Sequence, residues 1–361
     1  MKDSQMDALV PAIDRRDLLK LGAGAVAVAS LHAPVASSQS TASHQGSIDV
    51  HAHWVPEAYS RALAEMGHPT GSIHSTLEVD LEKRVKWMDE RGIQMHVLTL
   101  DGGMPWQWIA PEKGAHLASL VNDAAIKAHE AYPSRFIAGI EVSIRDSRLA
   151  LDEINRVAGK PGMRAVHLPN SIGDDDYLFD GSYEPLFARC EQLEYPLLFH
   201  PLDGAANFYG GNARLGGQLE LAANLNNSLG FTFESATTAA KFIVTGMLDR
   251  FPSLEIVLPH SGGCFPYDAG RIERGLAAKK FKLQRPFREY IRRFHYDSLT
   301  YYPETLRFLV ALAGSDRVVI GTDVFAPMDV EDPNAFIEQI HLPERDLGLI
   351  LRGNAIRLFR L

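Results

Sequence analysis

The sequence predicts a (β/α)8 barrel of the TIM type, an α/β fold in one domain. Three observations predict it. Short runs that are apolar at nearly every position alternate with longer segments of helical period, as in a parallel sheet covered on its outer face. Eight such pairs fit into about 320 residues, the size of one barrel. Polar residues capable of chemistry follow directly after several of the runs, where such a barrel opens. An open doubly wound sheet is the competing arrangement, but no Gly-x-Gly-x-x-Gly turn follows the first strand.

The elements are expected in this order. A buried strand covers 47–54 (Ser-Ile-Asp-Val-His-Ala-His-Trp) and a helix covers roughly 78–91, ending at Gly92. The apolar stretch 93–100 is the second strand, followed by a helix over roughly 112–131. Residues 136–142 form the third strand and about 146–158 the third helix. A fourth strand spans 163–168, with a helix near 183–194, and 196–200 is the fifth. Residues 201–232 are rich in Gly and Asn and long for a loop, which marks an active-site excursion. A helix follows over roughly 235–249, then the sixth strand at 254–259 and helical segments through much of 265–293. Residues 294–297 form the seventh strand, 303–313 a helix and 318–321 the eighth strand, and 334–360 is mostly helical.

Composition narrows the function classes. The 361 residues are 46% hydrophobic and 22% charged, too apolar for a disordered chain. The 36 basic and 45 acidic side chains give a net charge of −9, which argues against a nucleic-acid partner. Two cysteines in a chain of this length do not make a disulfide scaffold. Cys190 in a helical pattern and Cys264 in a Gly-rich turn are expected as reduced, partly buried thiols. The 14 histidines matter most, because imidazole is the commonest metal ligand and titrates near neutral pH.

Residues 1–40 read as an address. Arg15-Arg16 precede an apolar, small-residue run from Leu21 to about Ala36 and then Ser37-Ser38-Gln39-Ser40. The pattern resembles a twin-arginine secretion signal. The run falls short of the ~20 strongly apolar residues of a membrane span, so no span is expected in the mature form. Such a signal implies a bacterial periplasmic or secreted protein. Its removal takes away four bases and four acids, and the charge stays at −9.

The first strand ends in Asp49-Val50-His51-Ala52-His53. Two His at i and i+2 project from the same side of a strand, so both imidazoles can reach one ion. The fifth strand ends in Phe199-His200-Pro201, the sixth in His260-Ser261-Gly262-Gly263, and the eighth in Gly321-Thr322-Asp323. One His at a strand end is weak evidence, but four independent strand ends with ligand-type residues point to a metal site.

This pattern resembles the amidohydrolase superfamily, in the branch typified by aminocarboxymuconate-semialdehyde decarboxylase. The resemblance covers roughly 46–357. Besides the strand ends, its carriers are Met88-Asp89-Glu90-Arg91-Gly92-Ile93, Pro133-Ser134-Arg135-Phe136, Asp249-Arg250-Phe251-Pro252, Gly270-Arg271-Ile272, Tyr296-Asp297-Ser298 and Gly353-Asn354-Ala355. The chain departs from the family at Ser261, where the family often has Gly. It departs again at Val324-Phe325-Ala326, which alters the pocket wall directly after Asp323. Strand 4 has no Lys near its end (Arg164-Ala165-Val166-His167-Leu168-Pro169-Asn170), which favours one metal over two.

The resemblance implies that His51, His53, His200 and Asp323 bind one divalent ion, with Zn²⁺ preferred and Mn²⁺ the alternative. His260 would be the acid/base group beside it. Asp49 is a candidate partner for a ligand His, or else a buried cap for backbone groups. Arg271 would reach a neighbouring subunit's site and bind a substrate carboxylate, which implies a homodimer. Arg84, Trp108 and Asn170 are further pocket candidates, and His167 also follows strand 4. The expected activity is a metal-dependent carboxy-lyase acting on a small aromatic or unsaturated carboxylic acid. A metal-dependent hydrolase of an ester, lactone or amide is the alternative, suggested by the same ligands and by export.

Overall fold

The computed structural model of the chain describes residues 46–361 except 69–74, 102, 173–176, 180 and 203–224. The expected signal at 1–40 and most of the expected loop at 201–232 lie outside the described residues. Eight parallel strands form one sheet in sequence order. They are β1 (Ser47–His53), β2 (Ile93–Thr99), β3 (Phe136–Ile140), β4 (Met163–Pro169), β5 (Leu197–His200), β6 (Ile256–Leu258), β7 (Phe294–Asp297) and β8 (Val318–Val319). Parallel bridges from Asp49 to Ile320 and from Ala52 to Val324 bring β1 against the β8 end. The (β/α)8 barrel is therefore the observed fold.

Helices cover the outer face. In chain order they are α1 (Glu57–Glu65), α2 (Leu81–Glu90), α3 (Pro111–Ala131), α4 (Ser147–Val157), α5 (Glu184–Leu193), α6 (Phe231–Val244), α7 (Met247–Arg250), α8 (Phe265–Ala278), α9 (Phe287–Ile291), α10 (Pro303–Ala313), α11 (Pro333–Glu338), α12 (Glu344–Gly348) and α13 (Asn354–Phe359). Their starts follow local chemistry. Asp80 caps α2 by accepting from the Lys83 N–H at 3.0 Å, and Asp146 caps α4 by accepting from Leu149 N–H at 2.8 Å. Proline opens α3, where its missing N–H would have had no partner anyway.

Alternation along the strands splits the core in two. On β4, Ala165 packs inside the barrel and Val166 packs outward against the helices. The interior is filled by Ile48, Val50, Val97, Ile137, Leu198, Val257 and Val319. Ala355, Leu358 and Phe359 of α13 join the same cluster. The C-terminal helix thus plugs the end of the barrel opposite the strand C-termini and leaves that other end for the site. Phe359 is almost fully buried there. Phe359→Ala is expected to lower stability by about 3–5 kcal/mol, read by urea unfolding, with an unchanged metal content.

Two expectations shift, and one helix was not expected. Helix α6 begins at Phe231, so 225–232 is helical and not loop. The small polar residues there look like a loop, but Phe231 anchors the turn by burying its ring. The helix expected at 235–249 breaks at Gly246, which adopts φ 72°. The stretch 334–360 is mostly helical, as expected, with one interruption before Pro343, which precedes α12. Helix α1 had no signal strong enough to predict, because only Tyr59 and Leu63 of its nine residues are buried.

Candidate metal centre

The strand order brings His51 and His53 from β1, His200 from β5 and Asp323 beyond β8 to one point. Their ligand atoms all lie within 4.8 Å of one another, and all four residues are buried. His51 Nε2 is 3.1 Å from His53 Nε2, and Asp323 Oδ1 is 3.0 Å from His53 Nε2 and 3.5 Å from His51 Nε2. Donors held about 2.0–2.2 Å from one ion in a tetrahedron stand roughly 3.3–3.6 Å apart. The separations of 3.0–3.5 Å lie close to that range, as expected of donors gathered for a single ion.

The neighbours of these rings set which nitrogen faces inward. His51 Nδ1 donates to Asp297 Oδ2 at 2.8 Å, and His200 Nδ1 donates to the Pro201 carbonyl at 2.7 Å. Each neutral ring then directs an Nε2 lone pair at the cluster. Lone pairs aimed at one another in a buried space repel unless a cation lies between them. The donor set therefore fits a divalent metal ion, and the three imidazoles with one carboxylate would hold it.

Asp297 is the part that sequence reasoning missed. Besides the His51 ring, its carboxylate accepts the backbone N–H of His260 at 2.8 Å and of Ser261 at 2.6 Å. One carboxylate thus ties a metal-binding ring to the segment bearing His260. Its signal was available, since Asp297 ends β7 as Asp323 follows β8. Gly321 shows how tight the packing is: a Cβ there would lie 2.7 Å from the Asp297 Cβ and 3.0 Å from the His51 Cβ. Backbone strain gathers here too. His260, Ser261 and Asp323 all have positive φ, between 51° and 58°.

Asp49 does not bond a ligand ring. It accepts the His51 N–H at 3.0 Å, the Thr322 N–H at 3.2 Å and the Thr322 hydroxyl at 2.5 Å. It clamps the two backbone segments that carry His51 and Asp323, so it acts through the main chain. Burial pushes its carboxyl up to about 6 despite those bonds. Arg84 is not among the donors. It is fully buried on the inner face of α2, where Nη1 donates to the His53 carbonyl at 2.6 Å and Nε to His96 Nδ1 at 3.0 Å. Those bonds tie the guanidinium to β1 and β2, and its Nη2 is buried without a hydrogen-bond partner among the described residues.

His260 stands beside the donor set. Its ring centroid is 5.3 Å from that of His51 and 5.4 Å from that of His200, and its Nε2 is 3.9 Å from Asp323 Oδ2. Both of its ring nitrogens are buried without a hydrogen-bond partner among the described residues. Burial pushes this imidazole down to about 4.

Asn170 lies near the site, with its N–H on the His200 carbonyl at 2.9 Å and its Oδ1 buried and unpartnered. Trp108 is not brought to the cluster; it is 45% exposed and packs on the His68 ring at 4.2 Å. Arg271 is exposed on α8, in a surface groove with Phe233, Lys241 and Asp268. Cys190 and Cys264 are unpaired, and burial pushes the Cys264 thiol up to about 11.

The charges in the cluster make metal binding pH-dependent. Burial works against a proton on His51, but the Asp297 bond and the Asp323 charge outweigh it and raise the ring to about 8. Burial would raise Asp323, but the His53 bond and the nearby imidazoles hold it at about 2. An ion must therefore displace a proton from His51 below about pH 8, while Asp323 is already ionised. Apparent metal affinity is expected to rise up to tenfold per pH unit from 6 to 8 and to level off above. Competition against a chromophoric chelator at several pH values measures this, and a flat profile would contradict it.

Comparison with known proteins agrees with this arrangement. A family model described as amidohydrolase matches residues 48–361. The 2-amino-3-carboxymuconate-6-semialdehyde decarboxylase of Dictyostelium discoideum is 28% identical over 287 residues, covering 78% of this chain and 77% of that one. The gamma-resorcylate decarboxylase of a Polaromonas strain is 26% identical over 295 residues, covering 78% of this chain and 87% of its own. The crystal structure of 5-carboxyvanillate decarboxylase from Sphingomonas paucimobilis superposes with a TM-score of 0.74 at 25% identity, covering 88% of this chain and 99% of that one. With a barrel, a His-x-His strand and a converging His and Asp, all inside the matched residues, the chain belongs to the amidohydrolase family.

Proposed function

We propose that the protein is a metal-dependent nonoxidative decarboxylase of a small aromatic or unsaturated carboxylic acid. The observation that carries this reading is the donor set for one ion with His260 beside it. The relatives, named as decarboxylases of such acids, support it. A bound divalent ion would hold and orient the substrate's carboxylate. The reaction replaces a C–CO2⁻ bond by a C–H bond, so a proton must reach that carbon as CO2 leaves. His260 is the titratable side chain beside the donor set that none of the ligands' hydrogen bonds employ. An incoming carboxylate adds to the negative charge of Asp323 and Asp297 beside this ring and raises its proton affinity against the effect of burial. The strained backbone at His260, held by Asp297, fixes the direction of that ring.

Zinc is the ion we favour, since three imidazoles and a carboxylate suit it, with Mn²⁺ the alternative. Elemental analysis of protein purified without added metal distinguishes them. We further propose a homodimer in which Arg271 serves the neighbouring site. Its support is the apolar exposure around it: Phe233 is 48% and Tyr267 82% exposed. Light scattering tests the dimer. No described helix is long and apolar enough to cross a membrane. Export through the twin-arginine route rests on Arg15-Arg16 and the apolar run after them, and a reporter fused to residues 1–44 tests it.

Decarboxylation is tested by CO2 release from metal-loaded protein offered hydroxybenzoates and muconate-type acids. Chelator-sensitive release is the expected result. Chelator-sensitive cleavage of aryl esters or lactones, with no CO2 from any acid, would move the assignment to a hydrolase.

A further inference from the structure

Glu141, directly after β3, and His167, on β4, face each other across neighbouring strands at the same end of the barrel as the donor set. Both are almost completely buried. His167 Nδ1 is 2.7 Å from Glu141 Oε1, and that oxygen also accepts the Leu100 N–H at 2.9 Å. The carboxylate accepts, so Nδ1 carries the hydrogen and Nε2 is the ring atom left for another partner. No described residue bonds Nε2. The ring centroid is 6.4 Å from that of His200, in keeping with the order β3, β4, β5. Asn170, directly after β4, has a buried Oδ1 without a hydrogen-bond partner among the described residues. A buried carboxylate and imidazole are expensive to keep in a barrel interior, and packing alone would be served by apolar residues. Neither side chain belongs to the donor set or to the proton transfer assigned to His260.

We infer that the Glu141–His167 pair reads the substrate: Glu141 fixes the imidazole, and Nε2 accepts a hydrogen bond from a second hydroxyl on the ring of a dihydroxy acid. The inference rests on the decarboxylase reading for its substrate class, a hydroxylated aryl carboxylate. A buried acceptor left unpaired penalises an analogue that lacks the hydroxyl far more than an apolar pocket would. His167 is then a specificity-determining residue, and Glu141 is a positioning residue that acts through it.

The test compares 2-hydroxybenzoate with its four dihydroxy counterparts on metal-loaded wild type, His167→Leu, His167→Gln and Glu141→Gln. Wild type is expected to favour at least one dihydroxy acid in kcat/KM. That preference should shrink at least tenfold in His167→Leu, with metal content unchanged. His167→Gln, which retains an acceptor, should recover part of it, and Glu141→Gln should fall between. An equal loss on all five acids, or an unchanged preference, would overturn the assignment. Binding of the same five acids is measured by calorimetry alongside turnover. If no acid releases CO2 yet the binding preference exists and falls in His167→Leu, the decarboxylase reading fails and the dyad stands. If CO2 is released and neither preference depends on His167, the dyad fails alone.

Discussion

His260→Asn is expected to lower kcat by about 10²–10⁴ while the protein keeps its metal and its fold. Asparagine preserves polarity and approximate size at a position with positive φ, which Asn tolerates better than most residues. It cannot carry a transferable proton. His260 donates only its backbone N–H to Asp297, and the side chain holds no other group in place. Loss of activity with retained metal would therefore report proton transfer and not collapse of the site. Activity within a factor of a few of wild type would remove His260 from the mechanism. Loss of metal in the same variant would show that the ring also serves as a ligand.

Asp297→Asn is expected to weaken metal binding by about 10–100-fold, with a matching loss of activity at limiting metal. The amide keeps the shape but not the charge. It removes one of the two acceptor oxygens and the charge, so the bond that holds the hydrogen on His51 Nδ1 weakens and the protonated ring is no longer favoured. Two consequences should separate. The His51 ring loses its fixed tautomer, which costs affinity at every pH. Its proton affinity also falls, so the pH dependence of binding should shift to lower pH. The backbone N–H groups of His260 and Ser261 lose a charged partner as well. If excess metal restores full activity, the role of Asp297 is confined to the ligand ring. If it does not, the carboxylate also aligns His260. Unchanged metal affinity would overturn the role altogether.

Much of this site was legible in the chain. His51, His53, His200, His260 and Asp323 each follow an apolar run, and a parallel barrel delivers every such position to one face. The same rule applied to Asp297 would have placed it there, but its bond to His51 spans 246 positions and leaves no local pattern. Asp49 and Arg84 show a different limit. Both lie close to the ligands in sequence or in space, yet their side chains bond backbone groups, and a spacing rule does not distinguish a ring partner from a main-chain clamp. Arg84 looked like a pocket or surface cation because an unpaired Arg is costly to bury; the His53 carbonyl and His96 compensate it. Helix boundaries were legible where Asp80, Asp146 or a proline marks a start. They were not legible at Phe231, where one buried ring outweighs the glycine and asparagine before it.

The central claim is one ion per chain serving decarboxylation. Chelated protein titrated with Zn²⁺, and separately with Mn²⁺, while CO2 release is followed, tests it most directly. Activity is expected to rise in proportion to bound metal and to stop at one ion per chain. Activity that needs a second ion, or that persists in metal-free protein, would contradict it.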